Sequence, residues 1–146
     1  PNQVIYSWRG TTENMFFLKN NFTTYENFAV CGARGWLCPG DTRYTDHDNK
    51  IYLREAGRLR SSVEMAVKAG YKGENIIVAM HYPPTNDSCE NSLFTELFNE
   101  YKIKRVIYGH LHGASKYNNS LEGEVKGIEY FLVSADYLKF KPIKII

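Results

Sequence analysis

Apolar and polar residues follow two different patterns along this chain, one typical of helices and one typical of buried strands. Between residues 46 and 70, apolar residues recur at every third or fourth position, which predicts a long helix capped by Asp46 or Asp48 and ended by Gly70. A second helix is predicted from about residue 92 to residue 101, with Ser92 as its cap. We expect the long helix to face the core with Tyr52, Ala56, Leu59, Val63, Ala66 and Val67.

Short, continuous apolar runs predict strands that are buried on both faces. The clearest runs cover residues 76–80 and 105–108, on either side of the second helix, so they predict a parallel β-α-β unit. Weaker runs predict strands at 15–18 and at 28–31, the latter ended by Gly32. In the tail, 122–124 reads as a turn, while 128–133 and 143–146 are predicted to be antiparallel strands. The whole chain, residues 1–146, is therefore predicted to be part of one layered α/β domain.

Three of the four histidines come directly after the two clearest strands. His81 follows the first strand, and His110 and His112 follow the second, framed by glycines. Residues two apart in an extended segment point to the same side, and the carboxyl ends of parallel strands meet at one edge of a sheet. Imidazole binds zinc, iron and manganese, so this convergence predicts a metal site. The alternative is that all three are hydrogen-bonded loop histidines without a metal.

Other polar residues carry weaker signals. Arg34, in a glycine-rich loop, is a candidate to bind an anionic substrate, with a surface or salt-bridged arginine as the alternative. His47 lies at the start of the long helix, where an exposed or capping role is expected. The aspartates that we expect to be caps, turn residues or surface charges are Asp41, Asp46, Asp48 and Asp136.

Composition narrows the class of protein. With 43% hydrophobic and 23% charged residues in 146, the chain is globular rather than disordered or fibrous. A formal net charge of +2 does not indicate nucleic acid or an anionic membrane as a partner. The sequence has no apolar run long enough to cross a bilayer and no secretory signal, so a cytoplasmic location is expected. Three cysteines without a Cys-x-x-Cys pair predict free thiols.

Two motifs together resemble a known superfamily. The Gly-His-Leu-His sequence at 109–112, with His-Tyr-Pro-Pro at 81–84, resembles the C-terminal motifs of calcineurin-like metallophosphoesterases. The segments at 31–36 and 130–137 are similar to bacterial predicted phosphohydrolases of that superfamily. The resemblance implies a β-sandwich flanked by helices, and a hydrolase that uses two divalent metal ions (manganese, iron or zinc) to cleave phosphoesters. It also implies that His81 and His110 bind one metal and that His112 binds the other.

The resemblance covers only the C-terminal half of the superfamily's pattern. The Asp-x-His, Gly-Asp-x-x-Asp and Gly-Asn-His-Asp/Glu motifs, which supply the bridging carboxylate and the proton donor, do not occur in the sequence. Three neutral imidazoles do not balance the charge of two divalent ions. Since the chain also begins at Pro1, we expect a processed or cloned C-terminal portion with no catalytic residue of its own, at most one weakly bound metal and no hydrolase activity alone.

Two other functions remain open from the sequence. A truncated sheet with an exposed edge could serve as a non-catalytic scaffold or interaction domain that self-associates. A mononuclear zinc hydrolase could use His81, His110 and His112 alone.

Overall fold

A computed structural model describes residues 16–117 and 119–146, and it has a mixed α/β architecture built on one six-stranded sheet. The mixed α/β class predicted from the sequence is confirmed. The strands are β1 (Phe22–Tyr25), β2 (Phe28–Ala33), β3 (Ile76–Met80), β4 (Arg105–Tyr108), β5 (Gly123–Val125) and β6 (Ile128–Leu132). The helices are α1 (Asp46–Lys68), α2 (Leu93–Glu100) and the single turn α3 (Ala114–Tyr117), with a 3₁₀ turn at Gly73–Asn75.

The sheet has a parallel centre and antiparallel margins. Its strand order is β1-β2-β3-β4-β6-β5. Neighbouring strands in the series β2, β3, β4 and β6 are parallel, while β1 and β5 pair antiparallel with β2 and β6. The carboxyl ends of the four parallel strands therefore open on one edge of the sheet, where open α/β folds place their ligands.

Both long helices cross over between neighbouring parallel strands. The crossovers through α1 and α2 advance the sheet in the same direction, so the right-handed rule places both helices on one face. There the Tyr52 and Phe94 rings meet edge to face, with centroids 5.4 Å apart. The Tyr52 hydroxyl also accepts a 2.7 Å hydrogen bond from the Leu93 amide, which fixes the start of α2 against α1.

The ends of the helices follow local sequence chemistry. Helix α1 is capped by Thr45, one residue earlier than predicted, and the Thr45 amide donates to the Asp48 carboxylate at 2.9 Å. Asp48 also accepts a 2.8 Å hydrogen bond from the Trp36 indole, which ties the loop after β2 to the helix. Gly70 adopts φ +99°, as expected for a helix stop. Ser92 caps α2 as predicted, with its hydroxyl accepting from two amides of the first turn.

Several strand predictions were wrong. Gly32 lies inside β2 rather than ending it, and 122–124 overlaps β5 rather than forming only a turn. Residues 16–18 and 143–146 have no strand structure, and Met15 lies outside the described residues. The antiparallel partner of β6 is β5, which the pattern did not predict, and the pattern also missed β1. Both missed strands are short edge strands, and an edge strand does not need the apolar run that marks a strand buried on both faces.

No helix in the described ranges, 16–117 and 119–146, has the length and apolar character needed to cross a membrane. The three cysteines are free thiols, as predicted, and two of them, Cys31 and Cys38, are buried.

Candidate functional site

Backbone hydrogen bonds hold the carboxyl ends of three parallel strands together. The carbonyl of Arg34, just after β2, accepts from the amides of His81 and Tyr82 at 3.1 and 2.9 Å. The carbonyl of His81 in turn accepts from the Gly109 amide at 3.1 Å. The segments after β2, β3 and β4 therefore have a common backbone framework beyond the ends of the sheet. This framework brings predicted site residues from distant parts of the sequence together.

His81 and His110 meet directly, as the β-α-β unit predicts. The Nε2 atom of His81 lies 3.1 Å from the Nδ1 atom of His110. The His110 ring stacks on Tyr82, with centroids 4.0 Å apart and planes inclined by 29°. This stacking restricts the imidazole orientation, so the contact between the two histidines rests on packed rings rather than on loose side chains.

The backbone at His110 is strained. His110 has φ +70°, and the Leu111 amide donates to the Gly109 carbonyl across it at 2.8 Å. A three-residue turn with a positive central φ of this size is the rare and strained form of the γ-turn. Such conformations cost about 1–3 kcal/mol each and cluster at functional sites, where the surrounding structure enforces them. The turn points to the Gly-His-Leu-His segment as the centre of the candidate site.

His112 belongs to a second group of contacts. Its Nδ1 atom lies 2.8 Å from Oδ1 of Asp136. The other carboxylate oxygen of Asp136 accepts from the Gly113 amide at 2.9 Å and from the Tyr117 hydroxyl. These hydrogen bonds hold the pKa of Asp136 well below its usual range, with the Tyr117 hydroxyl as the largest cause, followed by the Gly113 amide and His112. Asp136 is therefore charged and fixes the orientation of the His112 ring.

Asp136 is an exposed turn residue, as expected, and it has in addition the contacts with His112 and Tyr117. Asp136 follows the carboxyl end of β6, which is parallel to β4, so it reaches the same edge as the histidines. The sequence did contain a signal for Asp136, because it follows a predicted strand, and the same position relative to a strand singled out the histidines. The pattern did not show that β6 is parallel to β4, and without that direction Asp136 could not be placed. His47 lies in the first turn of α1 and is exposed, as predicted.

Arg34 lies at the same edge, and its guanidinium carbon is 4.4 Å from the centroid of the Trp36 ring. One of its terminal nitrogens is 3.6 Å from the buried carboxylate of Glu55 on α1. Arg34 therefore has a salt-bridge partner, as the alternative to a substrate-binding role predicts. Arg34 still keeps 48% of its side chain exposed, so it remains available to a ligand.

A cavity of about 360 Å³ lies beside His110. Trp36, Tyr82 and His110 are among its lining residues. The centroids of the Trp36 and Tyr82 rings are 5.0 Å apart, and Tyr82 in turn stacks on His110. The three rings form an aromatic wall from the loop after β2 to the strained turn after β4. Neither Trp36 nor Tyr82 was predicted as a site residue, and only their place beside Arg34 and His81 in the sequence could have pointed to them.

No group of three or more histidine, cysteine, aspartate or glutamate side chains in residues 16–117 and 119–146 is arranged to hold a metal ion. The mononuclear zinc alternative needs three histidines around one ion, whereas His81 contacts His110 and His112 contacts Asp136. Comparisons of the chain with protein-family models, with curated proteins and with solved structures found no match.

The Asp136 contacts predict a specific response to acid. Because the folded protein holds the pKa of Asp136 below its usual value, the ionised carboxylate stabilises the fold above about pH 4, the ordinary range of aspartate. We expect that contribution to be lost as the pH falls from there towards the lowered pKa. Urea unfolding at several pH values should show Asp136→Asn less stable than the unchanged protein at pH 7, with a smaller difference at pH 3.

Tyr117→Phe is the matched variant, because it keeps the carboxylate and removes the largest cause of the lowered pKa. It should move the acid-induced loss of stability to higher pH. An unchanged acid profile in both variants would contradict the role given to this network.

Proposed function

We propose that this chain supplies histidine ligands to the binuclear metal centre of a phosphoesterase, as the C-terminal portion of a metallophosphoesterase-type β-sandwich. The 3.1 Å contact between His81 Nε2 and His110 Nδ1 carries the proposal. Two nitrogens bound to one tetrahedral zinc at about 2.0–2.1 Å lie about 3.3 Å apart. The two imidazoles therefore need little movement to share one ion.

His112 would bind the second metal ion through Nε2. A histidine that ligates a metal generally donates its other ring N–H to a carboxylate, which fixes the tautomer and the ring orientation. Asp136 is placed to accept such a hydrogen bond from His112 Nδ1 at 2.8 Å. Asp136 is thus a positioning residue in this proposal and not a ligand.

Two divalent ions would polarise the phosphoester and generate a hydroxide nucleophile. The residues of this chain would hold those ions and, through Arg34, contact the anionic substrate. The motifs that would supply the bridging carboxylate and the proton donor are missing from the sequence, so those groups would have to come from outside it. We therefore expect the chain alone to bind at most one manganese, iron or zinc ion weakly and to show no turnover.

Calorimetric titration of the metal-free chain with manganese or zinc tests the metal proposal. Weak binding of one ion is expected, and His81→Ala or His110→Ala should weaken it by about tenfold or more, because each variant removes one of the paired ligands. His47→Ala is the matched control, since it removes an exposed histidine from the start of α1. Equal binding by all four proteins would contradict the proposal.

Activity is tested with an aryl phosphate and manganese, and no turnover is expected from the chain alone. Robust turnover that His110→Ala abolishes would refute the expected inactivity, while still placing His110 in a hydrolytic site.

The alternative function, a non-catalytic interaction domain, would use the two edges of the sheet for self-association. Strands β1 and β5 are the outermost strands, and no other strand in the described ranges covers their outer edges. They are only four and three residues long, however, and short edge strands oppose pairing between sheets. A monomer in size-exclusion chromatography with light scattering would argue against this alternative.

A further inference from the structure

Three arginines converge on one buried carboxylate in α1. The Glu55 side chain is 1% exposed, and its Oε1 atom accepts a 2.6 Å hydrogen bond from Arg58. Nitrogens of Arg34 and Arg54 lie 3.6 and 3.8 Å from the same oxygen. These distances place three guanidinium groups around a single negative charge, with Glu55 in the middle.

Glu55 and the three arginines around it, Arg34, Arg54 and Arg58, form a group whose charges do not balance. Three guanidinium groups and one carboxylate leave a local formal charge of +2. Arg60, on the same helix, is instead compensated by two carboxylates, with hydrogen bonds to Glu100 at 2.9 and 2.6 Å and with Glu64 at 3.9 Å. Like charges held close together repel, so the convergence of Arg34, Arg54 and Arg58 leaves an attraction for an anion.

The donors of the group remain accessible. The side chains of Arg34 and Arg54 are 48% and 54% exposed, and that of Arg58 is 30% exposed. Arginine presents its N–H groups in a planar fork that matches the oxygens of phosphate. Glu55 therefore anchors the inner side of the group, while the outer side can donate hydrogen bonds to a ligand.

The group lies beside the candidate site. Arg34 stacks on Trp36, and Trp36 lines the same cavity as His110. The carbonyl of Arg34 also accepts from the His81 amide at 3.1 Å. An anion bound by the arginines would therefore lie next to the cavity, on the edge of the sheet that carries the histidines.

We propose that Arg34, Arg54 and Arg58 form a binding site for a phosphate group, held in place by the buried carboxylate of Glu55. The anion site itself needs no metal. Its assignment to a phosphorylated substrate, with a phosphate group recognised at the arginines, rests on the proposed phosphoesterase function.

The test is calorimetric titration of the full chain with inorganic phosphate, in EDTA and at low ionic strength. Saturable binding is expected, and raising the salt concentration should weaken it, because the arginines are exposed. Arg54→Gln should weaken binding by about tenfold, because it removes charge-assisted donors. Arg34→Lys should also weaken binding, because lysine keeps the charge and loses the planar fork. Arg58 is left unchanged, since it hydrogen-bonds the buried Glu55.

Arg60→Gln is the matched control, because it removes the same charge from the same helix outside the group. It should leave phosphate binding unchanged. Circular dichroism establishes that each variant is folded. Equal affinity in Arg54→Gln and the unchanged protein would overturn the proposal, and so would an equal loss in Arg60→Gln, which would indicate attraction by overall charge only.

Glycerol phosphate identifies the source of the phosphate group. Binding as tight as that of inorganic phosphate, and equally sensitive to Arg54→Gln, supports a group carried on an organic molecule. Selective binding of inorganic phosphate supports a site for the free ion. Because the phosphate titrations contain EDTA, they do not depend on metal binding. Saturable phosphate binding by a chain whose separate titrations show no binding of manganese or zinc would preserve the anion site and contradict the expected metal binding.

Discussion

Replacing Phe94 with alanine is expected to lower the free energy of unfolding by about 3–5 kcal/mol. Phe94 is fully buried in α2, and its ring packs edge to face on Tyr52 of α1 at a centroid distance of 5.4 Å. The substitution removes apolar surface from the core and leaves a cavity between the two helices. A loss of this size is a large part of the stability of a typical domain, about 5–15 kcal/mol.

Leu93→Ala is the matched control for this prediction. Leu93 is the adjacent residue in α2 and is 38% exposed, so its replacement should cost less than about 1 kcal/mol. Both variants are compared by urea unfolding followed by circular dichroism. Similar losses in the two variants would contradict the packing described for Phe94. The result also bears on the site, because α2 is the crossover between β3 and β4, and His81 and His110 lie just after those strands.

Gly32→Ala is expected to cost about 3 kcal/mol, the upper part of the range for overpacking a filled core. A methyl group on Gly32 would lie 2.4 Å from the carbonyl oxygen of Ala79, on the neighbouring strand β3. The Gly32 amide is also held by the Ser62 hydroxyl of α1 at 3.0 Å. The Ala79 backbone and the Ser62 side chain therefore limit how far the strand can move to make room.

The same substitution at Gly57 is expected to change the free energy of unfolding in the opposite direction. Gly57 is exposed on α1, and a methyl group there meets nothing within 4 Å. Alanine in place of glycine inside a helix should stabilise the protein by about 0.5–1 kcal/mol. Thermal or urea unfolding of the two variants should thus shift in opposite directions, and a stabilising Gly32→Ala would refute the close approach of β2 and β3.

Gly32→Ala should also disturb ligand binding. Gly32 lies two residues before Arg34, and its strand is paired with β3, which ends just before His81. A displacement of β2 from β3 would alter the hydrogen bonds from His81 and Tyr82 to the Arg34 carbonyl. We therefore expect phosphate binding in EDTA to weaken in folded Gly32→Ala and to stay unchanged in Gly57→Ala.

Helices α1 and α2 and strands β3 and β4 could be predicted from the sequence because their signals are local. An apolar residue at every third or fourth position defines a helix face, and a short apolar run between breakers defines a buried strand. The direction of β3 and β4 followed from the helix between them. The same unit predicted that His81, His110 and His112 converge. The structure confirms the meeting of His81 with His110 at 3.1 Å, while His112 contacts Asp136 instead, because the turn at His110 is not extended.

The two marginal strands and the contacts of Asp136 could not be predicted in the same way. Strands β1 and β5 are short, and β5 is largely polar, so neither has the pattern of a buried strand. Asp136 depends on the pairing of β6 with β4, two strands separated in the sequence by α3 and β5. Pairing between distant segments leaves no periodic trace in either segment.

The sequence by itself determined the α/β class, the two main helices, the central β-α-β unit and the placement of His81 and His110 at one edge, because each depends on periodicity and on one short connection. Only the tertiary structure decided which groups surround those histidines. It placed Asp136 against His112, and it brought Arg34 to Glu55, whose contacts with Arg54 and Arg58 are local to α1. The contacts of Asp136 and Arg34 join residues from separate elements, so they exist only once strand order and helix packing are set.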